Sequence, residues 1–274
     1  MKITESLIHK TVEQIQQSRK YRQRGLNRAT IEHLILQEAP RFDSRRKLLK
    51  AVRRKLHNIV APYLGEPDYD LLSARLAAIE NPAPDSPQLK AFCLDVLREH
   101  ASTAERIPHM DVFYEQIFEM AGRPKSILDL ACGLHPLSFP WMELPATTRY
   151  IAYDIIQPRI DFLNAFFTQI GLAPLATSQD ILANPPEISA ELAFFFKEAH
   201  RFEKRQPGSN RGFWRSLRVD VLAISLPAQD LSGSHDRLEQ NRALVRENLP
   251  RAVEMREVVV GNEMLFLIQN PGGD

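Results

Sequence analysis

From residue 126 onward, short apolar runs alternate with helical spacing: SILDLA, RYIAYDI, LAPLATSQDI, ELAFFFK, VDVLAISLP, EMREVVV and EMLFLIQ. The stretch IIQPRIDFLNAFFTQI (155–170) reads as a crossover helix between the second and third runs. Few folds accept this pattern. Strands that are apolar on both faces must be covered on both, and strands separated by helices pair in parallel. The chain is therefore expected to build an α/β domain, a mostly parallel sheet with helices on its faces. Gly261 and Asn262 part the last two runs and predict a closing hairpin. In such sheets ligands bind outside the carboxyl ends of the strands, so the loops after the runs are where chemistry is expected.

The front of the chain has another texture. Apolar residues recurring at three and four predict helices over 4–18, 29–38, 45–60, 69–79 and 87–99, separated by Gly25, APYLGEPDYD and NPAPDSP. In the third of these, Leu48, Leu49, Val52, Leu56, Ile59 and Val60 make one face. Its other positions hold Arg45, Arg46, Lys47, Lys50, Arg53, Arg54 and Lys55. The whole chain carries a net charge of only +1, yet residues 19–55 set 13 basic side chains against Glu32, Glu38 and Asp43. Such a patch attracts a polyanion, and the seven cations of 45–55 are candidate RNA phosphate contacts. The alternative is a solvated helix face. Residues 1–100 are thus expected to form a helical, basic, RNA-binding domain, and 101–274 the α/β domain. A helix between His100 and Gly122, with Ser102 and Glu105 at capping-box spacing, is expected to lead into the first strand.

The first twenty residues contain no unbroken apolar run, and nowhere do eighteen apolar residues follow one another. The expected location is cytoplasmic, without a membrane segment. Cys93 and Cys132, with eight scattered histidines, predict neither a disulfide framework nor a metal site.

The first strand ends at Asp129 or Leu130 and is followed by Ala131, Cys132 and Gly133, small residues that let a backbone approach a ligand. Twenty-one residues after Gly133 the second strand ends in Asp154, where an acid commonly binds ribose hydroxyls. A dinucleotide is disfavoured: GxGxxG is absent, and Pro136 stands where the pyrophosphate-binding helix should begin. S-adenosylmethionine has no pyrophosphate and tolerates the shorter turn. Asp180 closes the third candidate strand, where methyltransferases of this architecture place a side chain near the adenine amino group, with Ile181 available to the ring.

HASTAER (100–106), ILDLACGLHPL (127–137), QDIL (179–182), FKEAHRFEKRQ (196–206) and GNEMLFLI (261–268), with SRKYR (18–22) and RRKLHNIVAPYL (53–64), resemble the bacterial aminoglycoside-resistance 16S rRNA methyltransferases that modify guanine N7 in the decoding site. The resemblance implies a Rossmann-like class I methyltransferase sheet preceded by an all-helical N-terminal domain. It implies S-adenosyl-L-methionine as cofactor and 16S rRNA in the 30S subunit as partner, with no membrane and a monomeric chain. It also implies roles. Arg106 would pair with the methionine carboxylate of the cofactor. Gly133 would line the methionine, Asp154 the ribose, and Asp180 with Ile181 the adenine. Tyr63, His100, Ser102, Phe196 and Gln206 lie in segments similar to those lining the family's pocket. Lys197 and His135 become candidate substrate contacts. Guanine N7 carries a lone pair and no proton, so no catalytic base is expected and the mechanism is positioning. Two departures stand out: His135 occupies a place where the family usually has Asn, and LPAQDLSGSHDRLEQN (226–241) carries Asp230, Asp236 and Glu239 in place of a glycine-rich basic loop. Methylation of another RNA position or of a small molecule is the alternative.

Overall fold

A computed structural model describes residues 3–19, 21–22, 25–60, 67–229, 237–250 and 252–272. The expected sheet is present, seven strands in the order β3-β2-β1-β4-β5-β7-β6. They are β1 (Ser126–Leu130), β2 (Arg149–Asp154), β3 (Ala176–Ser178), β4 (Ser189–Phe196), β5 (Arg218–Pro227), β6 (Met255–Val260) and β7 (Glu263–Gln269). β1 to β5 run parallel, while β7 inserts antiparallel between β5 and β6. The order reverses at β1, with β2 on one side and β4 on the other, and that reversal opens a crevice at the carboxyl edge. The hairpin turn falls at Gly261 and Asn262 as its composition predicts. The third run is shorter than expected: Pro174 cannot donate to a ladder, so the strand starts at Ala176, and Asp180 sits in the turn beyond it.

Among the described residues, five α-helices fill the front of the chain: α1 (Glu5–Gln16), α2 (Arg28–Glu38), α3 (Arg45–Val60), α4 (Tyr69–Ala77) and α5 (Pro87–Arg98). Thr4, Asn27, Asp68 and Ser86 cap four of them, each side chain accepting from a first-turn amide. These helices divide between two cores. Val12, Ile15, Ile31, Leu34, Leu48, Val52 and Leu56 of the first three pack together, with Ile156 after β2 as their contact to the sheet. Leu72, Leu76, Leu89, Phe92 and Val96 of α4 and α5 instead join the core on one sheet face, with Phe162 and Phe166 of α8 (Gln157–Gln169). The expected boundary at residue 100 therefore cuts through one packed core. The break in packing lies between α3 and α4, because the apolar stripe of α5 covers sheet surface. Asn27 fastens the first three helices to the β3 edge, its amide donating to the Ser178 carbonyl at 2.7 Å.

The single helix expected between His100 and Gly122 is three pieces: α6 (Ala101–Ala104), a 3-10 turn (Ile107–His109) and α7 (Met110–Ala121). Pro108 lacks a donor, and the Thr103 hydroxyl is drawn back to the Leu97 carbonyl at 2.6 Å, so continuous helix is lost. Ser102 lies inside α6 and caps nothing. The break turns Arg106 inward until it is only 4% exposed. After β1, another 3-10 segment (His135–Trp141), carrying Pro136 and Pro140, replaces the α-helix that a dinucleotide fold would place there. The remaining helices are α9 (Ala199–Arg205), α10 (Ser209–Ser216) and α11 (Leu238–Asn248). Among the described residues no helix is long and apolar enough to cross a membrane.

Candidate active site

The turn after β1 holds two left-handed residues, Ala131 and Gly133, both with φ near 55°. For Ala131 this backbone is uncommon, and such strain persists where surroundings enforce it. Here β2 enforces it: the Cys132 amide donates to the Tyr153 carbonyl at 2.8 Å, and the Gly133 amide to Asp154 Oδ2 at 3.1 Å. Asp154 is itself held on both oxygens. Oδ1 accepts from the Ile156 amide, and Oδ2 from Arg159 Nη1 at 2.7 Å, while Arg159 Nε donates to the Tyr69 hydroxyl.

Beneath the turn runs a buried polar chain. Asp129 Oδ2 accepts from the Tyr150 hydroxyl and from His135 Nδ1, both at 2.7 Å, and His135 Nε2 meets the Tyr114 hydroxyl at 2.8 Å. Burial pushes the Tyr114 phenol up to about 12 and raises Tyr150 as well. With both ring nitrogens engaged and its faces met edgewise by Phe194 and Phe196, His135 props the turn from below.

At one end of the crevice lies a compact ion cluster. Arg106 is bidentate on Glu263, Nε to Oε1 at 3.0 Å and Nη2 to Oε2 at 2.7 Å, and its guanidinium lies over the rings of Phe113 and Phe196. Burial opposes both charges, but each partner outweighs it: Arg106 is raised, and Glu263 is held below the usual carboxylate range by Arg106 and Lys197. Lys197 follows β4 with φ 58°, and its ammonium reaches the Ser102 carbonyl, Glu105 and Glu263. It is buried and turned inward, so an outward reach to a target base is not the geometry found.

At the other end, Asp180 receives Arg205 through two hydrogen bonds of 2.9 and 2.6 Å. Burial works to raise its carboxyl, and the guanidinium prevails and lowers it. Two cavities adjoin along this crevice: a narrow one at Arg106, and one of about 720 Å³ at Asp154 and Asp180, within the range of small-ligand sites.

Eight of the ten cofactor candidates line this crevice. His100, Ser102, Arg106, Gly133 and Phe196 stand at the narrow end, and Asp154, Asp180 and Ile181 at the wide one, with Ala131, Glu198 and Arg201 common to both. Gln206 does not line it; its exposed amide oxygen accepts from Gln37 of α2 at 2.6 Å. Tyr63 lies outside the described residues, as do Asp230 and Asp236, while Glu239 opens α11 and pairs with Arg242. On α3, Arg45, Arg46, Lys47, Lys50 and Arg54 are exposed and Arg53 is half-buried. Lys55 departs from the expectation: with Asn58 and Ile59 it walls the wide end, its ammonium 2.8 Å from Glu38 Oε1. Side-chain period alone put it on the cationic face, but α3 lies across the crevice and turns that edge inward.

Sequence reasoning missed Glu263, Arg159 and Arg205. The signal for two of them was a charge inside an apolar run: Glu263 opens EMLFLIQ, and Arg159 sits in the stripe of Ile160, Phe162, Leu163 and Phe166. A buried guanidinium at one end, an acid at the end of β2, and a second acid beside Ile155, Ile181 and Phe202 suit a ligand with a carboxylate, a ribose and an aromatic ring. S-adenosylmethionine has all three. Among the described residues no three His, Cys, Asp or Glu side chains converge as metal ligands would.

The chain matches the model of a family described as ribosomal RNA methyltransferase (FmrO) over residues 17–267. It is 30% identical over 225 residues to a 16S rRNA (guanine(1405)-N(7))-methyltransferase of Micromonospora rosea, covering 80% of this chain and 81% of that one. The enzyme of the same name from Serratia marcescens is 30% identical over 257 residues, 93% and 95% of the two chains. Among solved structures, the 16S rRNA methylase RmtB superposes with a TM-score of 0.79 at 27% identity, over 96% of this chain and 98% of its own.

Proposed function

The chain belongs to the ribosomal RNA methyltransferase (FmrO) family, and on that premise we propose that it transfers a methyl group from S-adenosylmethionine to N7 of a guanine in the decoding site of 16S rRNA. Its substrate on this reading is the 30S subunit, it acts as a monomer in the cytoplasm, and aminoglycoside resistance is the expected phenotype. The observation that carries the reading is a pair of adjoining cavities that share Ala131, Glu198 and Arg201, one lined by Arg106 and Gly133, the other by Asp154 and Asp180 with the cationic helix α3 as a wall.

When bound, the cofactor supplies a methyl group made electrophilic by its sulfonium. The residues of the chain have the tasks of binding and alignment. Arg106 offers a guanidinium to the methionine carboxylate, and the turn Ala131–Gly133 sets a backbone close enough for the amino-acid end to pass. Asp154, fixed by Arg159 and the Ile156 amide, presents its carboxylate to the ribose hydroxyls. Ile181 and Phe202 would hold the adenine by apolar contact, and Asp180 would accept from its amino group. No side chain has to accept a proton, since N7 has none to lose. The exposed cations of α3 hold the RNA by its phosphates, so their contribution is salt-dependent and independent of sequence.

The test uses unmodified 30S subunits and labelled S-adenosylmethionine, followed by borohydride reduction and aniline cleavage at N7-methylguanine. A single new cut in the decoding-site helix is expected. Label in the RNA without such a cut would move the target atom, and the absence of label from ribosomal substrates would overturn the RNA reading in favour of a small-molecule acceptor.

A further inference from the structure

The β6–β7 turn, Gly261-Asn262-Glu263, packs against the cofactor end of the crevice. A side chain at Gly261 would place its Cβ 2.3 Å from His109 Cδ2, in the 3-10 turn that follows Arg106. Asn262 holds the far side: its carbonyl accepts from the Ala228 amide and its Oδ1 from the Gln229 amide, where β5 ends. Held from both flanks, Glu263 points inward, 2% exposed, and takes the Nε/Nη2 edge of the Arg106 guanidinium together with the Lys197 ammonium. A buried carboxylate between two cations is costly to assemble, and its removal leaves the buried Arg106 guanidinium without its counter-charge, while Lys197 keeps Glu105. Among the described residues, Arg106 also meets the ring faces of Phe113 and Phe196 and hydrogen-bonds the Tyr114 hydroxyl, but Glu263 alone takes two of its nitrogens at once.

We propose that Glu263 is the positioning residue of the methyl-donor pocket: it occupies the Nε/Nη2 edge of Arg106 and so presents the remaining Nη1 edge to the carboxylate of the cofactor's methionine. The inference rests on the reading of the crevice as an S-adenosylmethionine site. Glu105 plays the matching part for Lys197, keeping that ammonium from drawing Glu263 away from Arg106.

Two ligands separate positioning from mere structure. S-adenosylhomocysteine carries the carboxylate, whereas 5′-methylthioadenosine has the same adenosine and thioether without the amino-acid end. In calorimetry on the full chain, Glu263→Gln is expected to weaken S-adenosylhomocysteine about tenfold, about 1.4 kcal/mol, and to leave methylthioadenosine within about twofold. The KM for S-adenosylmethionine should rise in proportion, with the KM for 30S subunits unchanged. Equal losses for both ligands, or no loss for either, would overturn the positioning role. If Glu263→Gln does not fold, Glu263→Asp decides: it keeps the charge but draws Arg106 back by one methylene, and the same selective loss is expected, with parallel loss or none refuting it. A wild-type chain that binds neither ligand would defeat the cofactor reading itself, a result distinct from an intact wild type with an indifferent variant.

Discussion

Asp129 and His135, six residues apart, share a 2.7 Å hydrogen bond beneath the strained turn that follows β1. The bond closes the loop in which Ala131 and Gly133 adopt left-handed backbone, and it anchors the chain before and after that loop to one carboxylate. His135→Ala leaves a buried carboxylate short of a donor and the Tyr114 hydroxyl short of its partner, at a cost of about 1–3 kcal/mol. Chemical denaturation should show this as a lowered midpoint with an unchanged slope. His135→Gln, which can still donate toward Asp129, should recover part of the loss; no difference between Ala and Gln would mean that the ring serves only as filler.

Lys55 and the outer cations of α3 should behave as two separate sets. Arg46, Lys50 and Arg54 are exposed at successive fourfold spacing along one stripe, and replacing all three by Gln should reduce the slope of log affinity against log salt for 16S RNA by about 3. Lys55→Gln, made inside the crevice wall, should leave that slope as in the wild type while changing S-adenosylhomocysteine affinity. A slope that falls equally for Lys55 would place its ammonium on the RNA after all.

Arg106→Ala should cost both cofactor affinity and stability, because Glu263 is then buried with Lys197 as its remaining cation. The stability loss is expected at about 3–5 kcal/mol by thermal or urea unfolding. The paired replacement Arg106→Met with Glu263→Met removes both charges, and should regain most of that stability while S-adenosylhomocysteine binding stays lost. If the pair is as unstable as the single variant, the cluster contributes packing that the methionines cannot replace.

Acid should weaken the fold in two steps of known sign. His200 is pushed down to about 4 by burial and by Arg201, Lys204 and Arg237, so the unfolded chain binds its proton first. Its contribution is present above about pH 6.5 and is lost as pH falls toward 4. Asp180 and Glu263 are lowered by their guanidinium partners, so theirs is present above about pH 4 and is lost below it. Urea unfolding across pH should therefore show a shallow decline and then a steep one, and His200→Gln should reduce only the shallow part, to which His33, lowered by burial and by Arg205, also contributes. A flat profile between pH 6.5 and 4.5 in the wild type would contradict the assignment.

How far these features could be read from residues alone differs by layer. Periodicity placed α1 to α5 within two residues at each end, since a stripe at 3.6 spacing has no other use in a soluble helix. The end of β2 at Asp154 was legible because a carboxylate there interrupts an apolar run, whereas Asp180, expected to close the third strand, lies in the turn beyond β3. What remained hidden was pairing across sequence distance. Arg106 and Glu263 are 157 positions apart, and Asp180 meets Arg205 only because α9 folds back over the crevice. The division of the front helices was hidden for a related reason: α3 and α5 are both amphipathic, and nothing local says that one covers a sheet while the other builds a core of its own.

Because α3 also walls the crevice, the proposed grip on RNA and the proposed container for the methyl donor would be two sides of the same sixteen residues. A graft that exchanged this helix for a relative's, in order to redirect the chain to other RNA, would also be a remodelling of the donor's chamber. On the proposed function the two halves of the molecule would then not be interchangeable parts: recognition and donor binding would be inherited together.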